Sequence, residues 1–267
     1  MSERILDVTG VTKRFQTTVP KLVRATLNVS NEDRIVWILD NGEIKIRKTR
    51  PHRFVEMSVA DEIIDFVRSM KPTDHVILFY DTPENKRKIL FNFLAAGLEK
   101  GKGALYICSE EKPEQVRSEM EAFGIEVKKI EKEGALMIRN YDEWYIENGQ
   151  AECDKILAHL KEAYEKFQEK GLKGLRGIGE AACFFKHDKV RELLRLEYAA
   201  HRVLQVPIEG ICTYSIDTIV KAGRTEVIMP LIRAHGWAIF IGPGSSRVYE
   251  PEKVEDSDIE KLLRIKI

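Results

Sequence analysis

From His75 onward, short apolar runs alternate with longer stretches in which apolar residues recur every three or four positions. The short runs predict strands that are buried on both faces, and the longer stretches predict amphipathic helices. This alternation favours a three-layer α/β domain with a mostly parallel sheet covered by helices. The predicted strands are His75–Tyr80, Ala104–Cys108, Ala135–Arg139, Leu175–Phe184, Glu209–Tyr214 and Trp237–Ile241, and the predicted helices are Glu84–Glu99, Lys112–Phe123, Gln150–Lys170, Lys186–Val203 and Glu226–His235.

Residues 11–48 follow a different pattern, which predicts a strand, one short helix and a hairpin. Pro20 suits the first position of a helix. Arg34–Leu39 and Glu43–Lys48 flank Asn41-Gly42, which is a strong signal for a tight hairpin turn. A unit of fewer than about 50 residues buries too little surface to be stable alone. We therefore expect this unit to pair with a second copy, which makes the protein at least a dimer.

The charge of the chain is unevenly distributed. The 267 residues include 43 Lys and Arg against 43 Asp and Glu, yet residues 1–53 hold 11 basic and only 6 acidic residues. A basic end on a mildly acidic body indicates a polyanionic partner at that end. No apolar run reaches the roughly 18 residues of a membrane span, and the N-terminus lacks a signal-peptide pattern. We therefore expect a cytoplasmic protein without a membrane partner.

The segment VTKRFQTTVPKLVRATLNVSNEDRIVWILDNGEIKIRK resembles the AbrB/SpoVT family of DNA-binding domains. The order and spacing of Thr18-Val19-Pro20, Val23-Arg24, Glu32-Asp33 and Asn41-Gly42 carry the resemblance. It implies a small swapped-hairpin β domain over residues 1–50, an obligate homodimer or higher homo-oligomer that binds duplex DNA. The positions that fall on the family's DNA-contacting surface are Lys13, Arg14, Gln16, Thr17, Lys21 and Arg24.

The stretch Tyr80–Lys88 (YDTPENKRK) stands where a P-loop ATPase has G-x-x-x-x-G-K-[ST]. That loop needs glycines so that backbone N–H groups can surround the phosphates. The glycines are missing here, and Asp81 and Glu84 would repel a triphosphate. We therefore expect no ATP hydrolysis, no catalytic residues and no cofactor.

The runs HVILFYDTPENK, FLAAGLEKGKGALYICSEE, LRGIGEAACFF and EGICTYSIDTI resemble the MEDS domain, a methanogen/methylotroph sensory domain. The segment ILFYDTPENKRKILFNFLAAGLEKGKGALYICSEEKPEQV also resembles the start of RecA/KaiC-type ATPase domains, with a rewritten phosphate loop. The resemblance implies a RecA-like sensory domain over residues 74–267, after a linker with a short helix at 51–73, that binds an unknown small-molecule effector.

In open parallel sheets, ligands bind beyond the carboxyl ends of the strands. A carboxylate inside an apolar run requires a partner, and Arg176 or a ligand cation could supply one for Glu180. The candidate ligand-binding residues are Tyr80, Asp81, Thr82, Ser109, Glu110, Arg176, Glu180 and Tyr214.

The histidines and cysteines show no metal-ligand spacing. His75, His187, His201 and His235 are far apart, and no Cys-x-x-Cys is present. We expect no metal site, and we expect Cys108, Cys153, Cys183 and Cys212 to pack as small apolar side chains.

The two resemblances together imply a dimeric DNA-binding transcription regulator with a ligand-sensing, non-hydrolysing domain. A divergent RecA/KaiC-type nucleotide-binding ATPase is one alternative. An antitoxin-like protein-interaction module is another.

Overall fold

The structure, a computed structural model, divides into two compact units, residues 1–57 and 58–267. The described residues are 6–13, 17–29, 34–40, 43–49, 61–203, 206–242 and 245–253.

Among its described residues, the first unit contains one helix and two paired strands, and residues 11–13 and 17–19 do not form the strand predicted before the helix. Helix α1 (Lys21–Leu27) ends at Asn28, whose φ of 51° is left-handed. Strands β1 (Arg34–Asp40) and β2 (Glu43–Thr49) pair antiparallel along their whole length, in the register of a hairpin. The turn at Asn41-Gly42 lies outside the described residues. Exchange of this hairpin with a second copy stays a prediction.

The second unit is built on a seven-stranded sheet, six of whose strands are parallel, as the alternating pattern predicts. The antiparallel strand lies at one edge, beside the strand that precedes it in the chain. The strands in chain order are β3 (His75–Tyr80), β4 (Gly103–Cys108), β5 (Leu136–Asn140), β6 (Leu175–Glu180), β7 (Ile208–Ser215), β8 (Trp237–Gly242) and β9 (Ser245–Tyr249). Their order in the sheet is β5-β4-β6-β7-β3-β8-β9.

Helices cover both faces of the sheet, which confirms the layered α/β architecture. On one face lie α2 (Asp61–Ser69), α3 (Pro83–Glu99), α4 (Pro113–Phe123) and α5 (Val127–Glu133). On the other face lie α6 (Cys153–Glu169), α7 (Ala182–Lys186), α8 (Val190–Val203), α9 (Ile216–Lys221) and α10 (Ile228–Arg233). Alternate strand residues point to the two faces, so each face has its own apolar core.

Two predicted boundaries are wrong. The strand predicted over Leu175–Phe184 ends at Glu180, and the next residues form α7 instead. Short apolar runs of this kind do not distinguish a strand from a buried helical turn by periodicity alone. The helix predicted from Lys186 begins only at Val190, after Asp188 adopts a left-handed φ of 52°. Helices α5 and α9 and strand β9 were not predicted, because each is short.

Arg176 lies at the amino end of β6, away from Glu180, so it is not the partner of Glu180, for which the sequence offered Arg176 or a ligand cation. Its guanidinium is fully buried and donates to Glu209 on β7 at 2.5 Å. It also donates to the carbonyl oxygens of Val67 on α2 and Phe93 on α3. Gly97 of α3 leaves room for the side chain. Arg176 thus joins two strands and two helices, and its role is structural.

Replacing Arg176 by Met is expected to lower the free energy of unfolding by about 3–5 kcal/mol, because a buried ion pair loses one partner and carbonyl oxygens of α2 and α3 lose a donor. Gly97→Ala is expected to destabilise as well, since its Cβ would lie 2.5 Å from Arg176 Cδ. Urea denaturation measures both changes. Arg224→Met, which removes an exposed ion pair with Asp188, is the control and should leave the midpoint unchanged.

Candidate functional site

The carboxyl ends of β3, β4 and β6 lie at one edge of the sheet, where α3 begins. Pro83 is the first residue of α3, and Thr82 caps the helix by accepting a hydrogen bond from the Asn85 backbone N–H at 3.3 Å. The first helical turn brings Lys86 to residues that follow β4 and end β6. The Lys86 side chain is only 1% exposed, which is rare for a lysine without close partners.

Lys86 is surrounded by three carboxylates. Its Nζ lies 2.6 Å from Glu180 Oε1, 2.8 Å from Glu110 Oε2 and 3.4 Å from Glu111 Oε2. The Tyr80 hydroxyl donates to the same Glu110 oxygen. Burial alone would lower the pKa of Lys86, but the charges of Glu180 and Glu110 raise that pKa above its ordinary value. Lys86 is therefore an ammonium ion at neutral pH.

Glu180 is fully buried and accepts hydrogen bonds at both carboxylate oxygens. Besides Lys86, the Tyr106 hydroxyl donates to Oε1 at 2.7 Å, and the backbone N–H groups of Ser109 and Glu110 donate to Oε2 at 2.8 Å each. Burial alone would raise the pKa of Glu180, but Lys86 and these donors hold it below its ordinary value. Glu180 is therefore a carboxylate at neutral pH, and Lys86 is its cationic partner.

Helix α7 is tied to the same edge through Ser109. The Ser109 hydroxyl accepts a hydrogen bond from the Cys183 backbone N–H at 3.3 Å, and its carbonyl accepts one from Lys186 Nζ at 3.1 Å. Nearby, Arg87 forms an ion pair with Glu111. The loop after β4 is thus fixed by its contacts with Glu180, with helix α7 and with Arg87 of α3.

This edge of the sheet contains the kinds of donor that bind phosphate, but Glu180 already engages them. A phosphate site needs a cation and convergent backbone N–H groups. Here Lys86 and the N–H groups of Ser109 and Glu110 all donate to one internal carboxylate. A phosphate could bind only after displacing Glu180 from these donors.

A cavity of about 380 Å³ lies on the opposite face of the sheet, between the strands and helices α6 and α8. Its floor is made by Gly177 of β6 and Gly210 of β7, which are register partners and carry no side chains. Its walls are mostly apolar, with Leu160 from α6 and Leu196 from α8 among them, and Trp144 beside them. The volume falls within the range of small-molecule sites.

Four polar side chains meet at one end of this cavity: His75 of β3, Glu197 of α8, Cys212 of β7 and His235, which follows α10. Their ligand atoms all lie within 4.8 Å of one another. Glu197 Oε2 lies 3.4 Å from Nε2 of each histidine and 3.5 Å from Cys212 Sγ. Burial and the charge of Glu197 raise the pKa of the Cys212 thiol well above its ordinary value.

The candidate ligand-binding residues are divided among several places. Tyr80, Ser109, Glu110 and Glu180 come together around Lys86, as their positions after the strands predict. Thr82 caps the start of α3, and Asp81 accepts hydrogen bonds from the Thr82 backbone N–H and the Asn85 side-chain amide. Tyr214 points to the other face of the sheet, where its hydroxyl donates to Glu197, and Arg176 lies at the opposite end of β6.

Sequence reasoning did not find Lys86 as the partner of Glu180, nor the cluster of His75, Glu197, Cys212 and His235. Lys86 does occupy the lysine position of a phosphate-loop pattern, which was a usable signal. The four residues of the cluster are separated by 15 or more positions, so no local motif marks them.

In the first unit, the predicted DNA-contacting residues that the structure describes are exposed: Lys13, Thr17, Lys21 and Arg24. Thr17 also bonds locally, to the Gly10 carbonyl at 3.2 Å. Arg14 and Gln16 lie outside the described residues.

Among the described residues, no helix has the length and apolar character needed to cross a membrane. No curated protein matches the chain. The solved structure of a KaiC-like protein from the hyperthermophilic archaeon Pyrococcus horikoshii OT3 is similar, with 19% sequence identity and a TM-score of 0.47, over 67% of this chain and 85% of that one. The family model of MEDS, the MEthanogen/methylotroph, DcmR Sensory domain, matches residues 74–235. The chain therefore belongs to the MEDS family.

Proposed function

We propose that the protein is a dimeric, DNA-binding transcription regulator whose MEDS domain binds a small, mostly apolar effector and hydrolyses no nucleotide. The cavity between the sheet and helices α6 and α8 is the observation that carries the sensory part. A sheet position without a side chain leaves space above it, and here two such positions are adjacent on neighbouring strands. The space is enclosed by apolar side chains and ends at a polar cluster.

The chemistry of the cavity indicates the class of effector. Burial of apolar surface supplies the binding free energy, at about 25 cal/mol per Å². Glu197, Cys212 and His75 supply a cluster of polar contacts, and Thr73 and Asp74 precede His75 in the lining. An effector with a short apolar body and one polar group matches this division.

The surroundings of Lys86 support the absence of nucleotide hydrolysis. Phosphoryl transfer needs cations and N–H donors directed at the transferring phosphoryl group. Lys86 instead neutralises Glu180 and Glu110. The ATPase alternative therefore lacks its central cation.

Two properties of the first unit support DNA binding by a dimer. Lys13, Lys21 and Arg24 are exposed cations. The large apolar side chains of Val8, Val11, Leu22 and Ile44 are 53–84% exposed within one chain. A second copy of the unit would cover these apolar side chains and present the cations twice.

Lys86→Met is expected to lower the free energy of unfolding at pH 7 by about 3–5 kcal/mol, because Glu180 stays buried without its cation. In the wild type, the pKa of Glu180 lies below its ordinary value of 4.5, so its stabilising contribution is present above that pH and is lost as the pH falls through the lowered pKa. In the variant, protonation of Glu180 relieves the uncompensated charge. The difference in free energy of unfolding between the wild type and Lys86→Met should therefore become smaller as the pH falls toward 4.5. Urea denaturation at several pH values measures this difference.

Two controls accompany this measurement. The double variant Lys86→Met with Glu180→Gln removes both charges and should lose less stability at pH 7 than the single variant. Lys112→Met removes an exposed cation at the same edge of the sheet and should leave the free energy of unfolding unchanged. If calorimetry showed that the wild type binds ATP and that Lys86→Met does not, Lys86 would be available to phosphate. That result would contradict the proposal and favour the ATPase alternative.

Gly177→Leu is expected to fill the cavity and abolish effector binding, because a leucine side chain would occupy the space above β6. Gly177→Ala is the matched control, since its Cβ would meet only Ile208 Cγ2 at 3.9 Å, an ordinary contact. A panel of short-chain alcohols, thiols and amines is screened by thermal shift. Some of these compounds should raise the Tm of the wild type and of Gly177→Ala but not the Tm of Gly177→Leu. An equal rise in Gly177→Leu would place the binding site elsewhere.

Lys21→Ala and Arg24→Ala in the full chain are expected to weaken binding to genomic DNA fragments. Each phosphate contact that is lost should reduce the slope of log affinity against log salt by about 0.9, so a substitution present in both subunits of the dimer should reduce it by about 1.8. If Arg24 binds a base edge, its replacement should also reduce discrimination between sequences. Lys128→Ala on α5 is the control and should leave the slope unchanged. Affinity that does not depend on salt would favour the protein-interaction alternative instead.

A further inference from the structure

The cluster at the polar end of the cavity has the composition of a metal site. It brings together two imidazoles, one thiol and one carboxylate, from His75, His235, Cys212 and Glu197. We propose that these four side chains bind one divalent transition-metal ion of the zinc class. The proposal does not depend on the effector or on DNA binding, because it concerns only the metal content of this cluster.

Four of the six distances between the donor atoms fit tetrahedral coordination, and all six lie within 4.8 Å. Metal–donor bonds of about 2.0–2.3 Å give a tetrahedron whose edges are roughly 3.3–3.8 Å long. His75 Nε2 lies 3.3 Å from Cys212 Sγ and 3.4 Å from Glu197 Oε2. Glu197 Oε2 lies 3.5 Å from Cys212 Sγ and 3.4 Å from His235 Nε2. Four edges of the tetrahedron therefore have the required length before any metal is added.

The donor set selects the class of ion. Thiolate and imidazole ligands favour zinc and its neighbours in the first transition row, whereas Mg²⁺ and Ca²⁺ require oxygen ligands. Metal binding displaces the proton of the Cys212 thiol into solvent. Two neutral imidazoles, one thiolate and one carboxylate then carry two negative charges. A divalent ion neutralises them, which makes burial of the whole group tolerable.

Neighbouring groups orient the ligands in the manner of known metal sites. His235 Nδ1 lies 2.7 Å from the Leu231 carbonyl, which can only accept, so Nδ1 carries a proton and Nε2 is the atom directed at Glu197. The Tyr214 hydroxyl donates to the second oxygen of Glu197. His235 Nε2 and Glu197 Oε2, 3.4 Å apart, are therefore placed so that both could bind one cation between them.

The position of the cluster makes the metal part of the cavity. His75, Glu197 and Cys212 line the cavity, while His235 lies behind them, buried. A bound ion would therefore lie at the polar end of an otherwise apolar chamber.

The test uses the full chain, freed of metal with a chelator and then titrated with Co²⁺. One Co²⁺ per chain should bind, with the ligand-field absorption of a tetrahedral site and a thiolate-to-cobalt charge-transfer band. Zn²⁺ should displace Co²⁺ and abolish both features, and excess Mg²⁺ should not. Binding well below one ion per chain, or an octahedral spectrum without a thiolate band, would overturn the proposal.

Matched variants assign the ligands. Cys212→Ser should lose the charge-transfer band, and His235→Gln should keep the band but bind Co²⁺ at least about 100-fold more weakly. Cys183→Ser and His187→Gln remove a cysteine and a histidine outside the cluster and should behave as the wild type. An unchanged spectrum in Cys212→Ser would overturn the proposal. Should Cys212→Ser fail to fold, Zn²⁺ must still protect Cys212 of the wild type from alkylation, and an unprotected thiol would count against the site.

Discussion

A single buried ion pair, between Lys86 and Glu180, determines what the carboxyl edge of the sheet can do. The pair links the first turn of α3 to the end of β6, and it orders the loop after β4 through the Ser109 and Glu110 backbone N–H groups. Each of these charges would be very unfavourable alone in the interior, so each requires the other. The same groups that would bind a phosphate in a nucleotide site here stabilise the protein itself.

Strand β6 has a buried charge at each end and a glycine between them on the other face. Glu180 pairs with Lys86 at the carboxyl end, and Arg176 pairs with Glu209 at the amino end. Both charges point to the face covered by α2 and α3, because residues two or four apart on a strand share a face. Gly177 points to the opposite face and opens the cavity there. One strand thus anchors one face of the domain and leaves space on the other.

The cavity and the polar cluster connect structure to the proposed sensory role. Apolar walls supply affinity without strong selectivity, whereas a few polar groups at one end supply orientation. Glu197 lies on α8, and its partners lie on β3, on β7 and after α10. A ligand or an ion at this end would therefore contact several separate elements at once, which is what a sensor needs to convert binding into a change of packing.

The amino-acid sequence by itself determined the layered α/β class, the parallel sheet and the position of most strands, because apolar periodicity reflects burial directly. It also located Tyr80, Ser109, Glu110 and Glu180 at one edge, since parallel strands bring their carboxyl ends together. Only the tertiary structure decided that Lys86, and not Arg176, pairs with Glu180, because the choice depends on which end of β6 each cation reaches. It alone brought Cys212 and Glu197 to two histidines far away in the chain, because long-range strand order, which no local pattern encodes, sets those distances.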